Sequence, residues 1–138
     1  MNVLYTTTAH AVGDGRNGHV RSEDGILDTE MRIPKDMGGP GGAPNPEMLF
    51  AAGYAACFHS ALKVVGRQDR VNVDGTEVVA SVAIGTLDNG GFGLAVDLKV
   101  SVPNVDRPTA EKLVARAHEI CPYSNATRGN IPVTLTVD

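Results

Sequence analysis

The stretch NPEMLFAAGYAACFHSALKVV, Asn45 to Val65, limits most tightly what this chain can fold into. Asn45 suits a helix N-cap and Pro46 the first helical position. Glu47 puts a negative charge at the positive end of the helix dipole. From Met48 to Phe58 every residue is apolar or small, and a helix that is apolar on every side is expected to be buried. At about 1.5 Å per residue it spans roughly 30 Å, the width of a small domain. Ala51, Ala52, Gly53, Ala55 and Ala56 let other backbones approach closely, and Cys57 sits deep in the helix, far from its start.

The rest of the chain reads as what surrounds that helix. With 138 residues, one domain spanning 1–138 is expected, with a sizeable core. Val3–Val12 is rich in Val, Tyr and Thr and predicts a first strand. The turn GDGRNGHV follows and carries Arg16. Short strands at His19–Ser22 and Ile26–Ile33 then complete an N-terminal meander. A Gly/Pro loop from Pro34 to Pro46 leads into the helix.

Beyond the helix, Thr76–Leu87 predicts a strand and Asn89-Gly90 a hairpin turn. Leu94, Val96, Leu98, Val100 and Val102 alternate with smaller or polar residues, as a half-buried strand requires. Asp106–Ile120 predicts a second helix, stopped by Pro122, and Ile131–Asp138 a last strand. Runs of strands rather than strict alternation point to an α+β fold with antiparallel sheet.

Composition narrows the function. A formal net charge of -4 leaves no basic footprint for nucleic acid, and three Tyr, three Phe and no Trp make no stacking platform. MNVLYTTTAHAV lacks the basic start and apolar block of a signal peptide. Glu47, His59, Ser60 and Lys63 interrupt the long helix, against a membrane span. No nucleic-acid or membrane partner is therefore expected. A cytoplasmic location is the expectation, and there two cysteines are reduced, catalytic or redox-active rather than a static staple.

Cys57 and Cys121 both lie on predicted apolar helix faces, where free cysteine ordinarily packs as a small hydrophobe. Two features point further. Cys121 opens Cys-Pro-Tyr-Ser at a helix end, where the backbone turns and access is plausible. Arg16 offers the cation that a reactive thiol needs, because apolar burial raises a thiol's pKa and the thiolate is the nucleophile. Cys57 is about three turns into its helix, too far for the dipole to help. Glu47 can orient a guanidinium through a bidentate pair, but ten residues of helix put it about 15 Å from Cys57. Either the first turn is not regular helix, or a homodimer shares the site, with Glu47 and Cys57 from different subunits.

Other readings are weaker. Cys57-x-His59 and His118-x-x-Cys121 supply zinc-type ligands, but positions 57 and 59 of a helix diverge by about 200°. Cys-Pro-Tyr-Ser looks like a glutaredoxin motif that has lost its second cysteine, yet it closes a helix here where that fold opens one.

NPEMLFAAGYAACF around Cys57 and CPYSNATRGNIPVTLTV from Cys121 strongly resemble the organic hydroperoxide resistance (Ohr) branch of the OsmC/Ohr family. The likeness extends to LYTTTAHAVGDGRNGHV and to the GGPGGAPNPE loop, so it covers nearly the whole chain. The resemblance implies an intertwined homodimer, with two long helices wrapped by antiparallel sheets. It implies a thiol-dependent peroxidase for organic hydroperoxides that requires no metal or other cofactor.

By that resemblance Cys57 is the peroxidatic cysteine, Cys121 the resolving cysteine, Arg16 the activator of the thiolate and Glu47 the holder of the arginine. The Cys57–Cys121 disulfide would be recycled by a dithiol, a lipoyl group on a partner protein. Apolar walls from Met48, Phe50 and Phe58 are expected to favour alkyl or fatty-acid hydroperoxides over hydrogen peroxide. Two alternatives stay open: an OsmC-type peroxidase of different substrate range, and a non-enzymatic small-molecule binding protein with inert buried thiols.

Overall fold

A computed structural model describes all residues, Met1–Asp138, and their contacts divide into two units, Met1–Leu49 and Phe50–Asp138. The first is an antiparallel meander of β1 (Ala9–Val12), β2 (His19–Ser22) and β3 (Asp28–Glu30). Val12 pairs with His19, and His19 with Glu30. β1 and β3 are shorter than the composition predicts. Val3, Leu4 and Tyr5 are exposed and join no ladder, so β propensity there finds no neighbouring strand to pair with.

The helix expected from Asn45 forms as α1 (Pro46–Asp69), which begins in the last residues of the first unit. Asn45 caps it, its Oδ1 accepting from the Met48 N–H at 2.8 Å. By length and composition α1 could cross a membrane. Burial covers one stripe of it, Tyr54, Phe58, Ala61, Leu62, Val65 and Gly66, and not every side as its composition predicts. Ala52, Ala56 and Ser60 form an exposed row at four-residue spacing. Side chains this small have little apolar surface to remove from water, so the row costs little when open.

The second unit packs that stripe against a three-stranded sheet and a second helix. β4 (Glu77–Thr86) and β5 (Phe92–Ser101) pair antiparallel through the Leu87–Gly91 turn, where Gly90 takes φ +85°. α2 (Arg107–Ile120) is capped by Asp106, whose side chain accepts from the Thr109 N–H. α3 (Pro122–Thr127) follows at once, a helix where the sequence predicts a turn. β6 (Val133–Val137) then joins β5 in parallel, Val96 opposite Val133 and Val100 opposite Val137. The sheet is therefore mixed rather than wholly antiparallel, because α2 and α3 form the crossover that a parallel pair requires. Val96, Leu98 and Val100 of β5 meet Phe58 and Leu62 of α1 and Leu113 and Ala117 of α2 in one core.

Candidate active site

In the Met1–Leu49 unit the turn between β1 and β2 is tightly specified. Gly13 and Gly15 take positive φ, and a 3-10 turn covers Gly15–Asn17. The Asn17 side chain accepts from the Ile33 N–H at 3.0 Å, and the Arg32 guanidinium donates to the Gly18 carbonyl at 3.2 Å. A Cβ on Gly18 would sit 2.2 Å from the Val12 carbonyl oxygen, and backbone cannot yield as a side-chain tip can. Gly18→Ala is expected to destabilise the protein by roughly 3 kcal/mol, read as a lowered denaturant midpoint.

That turn delivers Arg16 to Glu47 in a fork-to-fork pair. One guanidinium nitrogen donates to Oε2 at 2.8 Å and the other to Oε1 at 2.7 Å. The bond to Arg16 holds the Glu47 carboxyl below its ordinary range, and the same bond raises the Arg16 pKa. A depressed carboxylate pKa adds stability above the unfolded-state value and loses it as pH falls through the folded one. The stability gap between wild type and Glu47→Gln is therefore expected to be present at neutral pH and to close below about pH 4. Paired denaturant titrations across pH measure it.

The Phe50–Asp138 unit holds both cysteines. Cys57 lies on α1 beside the buried stripe, half-buried, and Cys121 is fully buried between the end of α2 and the start of α3. Both are free thiols. Cys121 and the Tyr123 backbone both lie close enough to the Cys57 sulfur to act on its thiol. Burial pushes the Cys57 thiol above its ordinary value, the Tyr123 backbone opposes this, and Cys121 adds to the rise. With these neighbours alone Cys57 is a thiol near neutral pH, so thiolate chemistry calls for an added cation. Tyr123 lies over Gly53 of α1, where a Cβ would come within 2.7 Å of its hydroxyl.

Each predicted residue thus has a partner: Arg16 with Glu47 in one unit, Cys57 with Cys121 in the other. The histidines go elsewhere. His59 bonds Thr76 at 2.9 Å and His118 bonds Ser124 at 2.8 Å, and no three metal-ligating side chains come together. Sequence reading missed α3 and the Tyr123 backbone it sets beside Cys57. Pro122 directly after Cys121 carried the signal, since proline at the first helical position starts helices as well as stopping them.

The family described as OsmC-like protein matches residues 39–136. The organic hydroperoxide resistance protein of Xanthomonas axonopodis pv. citri is 51% identical over 98% of this chain and 95% of its own length. This chain belongs to the OsmC-like family, in its organic hydroperoxide resistance branch. Solved structures of that branch share the fold. The organic hydroperoxide resistance protein of Elizabethkingia anophelis superposes with a TM-score of 0.96 at 53% identity, covering 100% of this chain and 99% of that one. OhrB of Bacillus subtilis superposes at 0.90 with 42% identity, covering 99% and 100%. The α+β architecture with two small sheets and a long central helix is therefore that of the OsmC-like family.

Proposed function

We propose that this protein detoxifies organic hydroperoxides as a thiol-dependent peroxidase. One observation carries the reading: two free thiols, Cys57 and Cys121, come together from the α1 and α2–α3 segments, with the Tyr123 backbone beside the first. Branch membership supports the substrate class, since the relatives at about half identity are organic hydroperoxide resistance proteins.

In the proposed reaction the Cys57 thiolate attacks one peroxide oxygen. The O–O bond breaks, the leaving alkoxide takes a proton to become the alcohol, and Cys57 becomes a sulfenic acid. The Cys121 thiol then attacks the Cys57 sulfur, water leaves, and a disulfide forms. A dithiol restores both thiols by exchange and is itself oxidised to a disulfide; a lipoyl group on a partner protein fits that role. Arg16, held by Glu47, supplies the cation that makes Cys57 a thiolate.

The first turn of α1 is regular helix, so Glu47 and Cys57 of one chain stand well apart along it, which supports a homodimer whose shared site takes Glu47 and Cys57 from different subunits. The exposed Ala52, Ala56 and Ser60 row and the unpaired Val3–Tyr5 segment are surfaces that a second copy would cover. A strictly monomeric active enzyme in sedimentation would remove this part of the proposal. The working place is the cytoplasm, where reductants keep thiols available.

The expected apolar wall needs one correction. Phe58 is fully buried in the core, and Met48 is 53% exposed. Phe50 does line a cavity of about 400 Å³, with Leu94, Tyr123, Ala126 and Ile131. Neither cysteine lines it and Thr127 and Asn130 interrupt its wall, but the wall is mostly apolar and includes Tyr123, whose backbone lies beside Cys57, so it favours an alkyl chain over hydrogen peroxide.

Thiol titration after adding cumene hydroperoxide or hydrogen peroxide tests the reading. Both thiols should disappear, and faster with the organic substrate. Equal rates would remove the apolar selectivity. No thiol loss would make both cysteines packing residues of a non-enzymatic binding protein.

A further inference from the structure

α3 has only six residues, too few to hold its shape without tertiary support. Its support is a buried cluster of hydroxyls. The Ser124 hydroxyl, fully buried, lies 2.9 Å from the Tyr54 hydroxyl of α1 and 2.8 Å from His118 Nδ1 of α2. Thr127 lies 3.1 Å from the same Tyr54 hydroxyl and donates to the Ser124 carbonyl at 3.2 Å. Burying hydroxyls costs free energy unless every one is bonded, and no buried polar side-chain atom is left without a partner. A buried polar network with every member bonded rigidifies its surroundings and specifies one arrangement.

The sequence positions show what that geometry fixes. Tyr54 is three residues before Cys57, His118 three residues before Cys121, and Ser124 three residues after Cys121. The cluster therefore ties together the three backbone segments that carry the two sulfurs and Tyr123. Disulfide closure needs the sulfurs to meet at about 2.05 Å with a restricted dihedral, and small misplacements of reacting groups cost large factors in rate.

We propose that Ser124, held by Tyr54 and His118, is a positioning residue that sets the Cys121 thiol against Cys57 and so governs the speed of disulfide closure. The inference rests on the peroxidase reading above. It adds that resolution, more than the attack on peroxide, depends on this buried cluster.

Rapid-mixing kinetics with cumene hydroperoxide separate the two steps: sulfenic acid formation, trapped by dimedone, and disulfide formation, read by intact mass. Ser124→Ala is expected to slow closure about tenfold and Tyr54→Phe about threefold, with the attack step within about threefold of wild type. Sulfenic acid should accumulate in both variants. Val100→Ala, a core change on β5 away from the cluster, should leave both steps at wild-type rates.

Wild-type closure rates in Ser124→Ala and Tyr54→Phe would overturn the proposal, as would equal slowing in Val100→Ala. If Ser124→Ala fails to fold, Tyr54→Phe, which keeps the ring and loses only the hydroxyl, decides alone. A wild type that forms neither sulfenic acid nor disulfide would instead overturn the peroxidase reading itself.

Discussion

Cys57→Ser is expected to lower organic hydroperoxide reduction by at least about a thousandfold while leaving the chain folded. The serine hydroxyl is nearly isosteric, and the Tyr123 backbone beside the Cys57 sulfur accommodates an oxygen in the same place. What is lost is the nucleophile. A serine hydroxyl is not ionised near neutral pH and has no base beside it among the groups around Cys57. Cys121→Ser should behave differently: it keeps the attacking thiol and completes one attack per chain, then stalls at the sulfenic acid because no second thiol can condense with it. Single-turnover and steady-state assays on the two variants distinguish the roles. Equal single-turnover loss in both would mean that the cysteines do not divide the reaction as proposed.

Arg16→Lys should cost about a hundredfold in the second-order rate with organic hydroperoxide, although the charge is kept. Two parallel bonds, 2.8 and 2.7 Å, fix the guanidinium on both Glu47 oxygens. A lysine ammonium is a single flexible point charge and cannot reproduce that fork. The sign of the pH effect follows from the environment of Cys57. Burial already pushes its thiol upward, so a weaker or misplaced cation leaves it higher still. The rate–pH midpoint of Arg16→Lys is therefore expected to move to higher pH, with part of the lost rate recovered in alkaline solution. A loss that is the same at every pH would mean that Arg16 acts on substrate binding and not on the thiol.

Local chemistry made much of the fold legible. Asn45 and Pro46 mark the start of α1 and Asn89-Gly90 the β4–β5 hairpin, because caps and turns depend on residues a few positions apart. The β5 alternation named the face that Val96, Leu98 and Val100 bury.

Non-local geometry was harder to read. β6 pairs parallel to β5 across the α2–α3 crossover, a pairing direction that β6's own alternation does not reveal, and α3 was hidden by reading Pro122 as a stop. Val3–Val12 has strand composition, but whether it pairs depends on which neighbours are present. Phe58 has the chemistry of a pocket wall, yet its phase on α1 points it into the core.

Of the candidate site, a need for a cation and a carboxylate could be argued from the buried thiol. Arg16 and Glu47 were the candidates for them on chemistry, the resemblance named the same two residues, and the structure joins them in a fork. The Ser124 cluster was invisible, since one serine, one tyrosine and one histidine spread over seventy positions carry no local pattern.

The most direct measurement is the intact mass of wild type and Cys121→Ser after one equivalent of cumene hydroperoxide. Wild type should become lighter by two hydrogens, with both thiols gone and the bond mapped to Cys57 and Cys121. Cys121→Ser should become heavier by one oxygen, located on Cys57 and reactive with dimedone. Unchanged masses in both proteins, or an oxygen located on Cys121 in wild type, would contradict a reaction that begins at Cys57 and is resolved by Cys121.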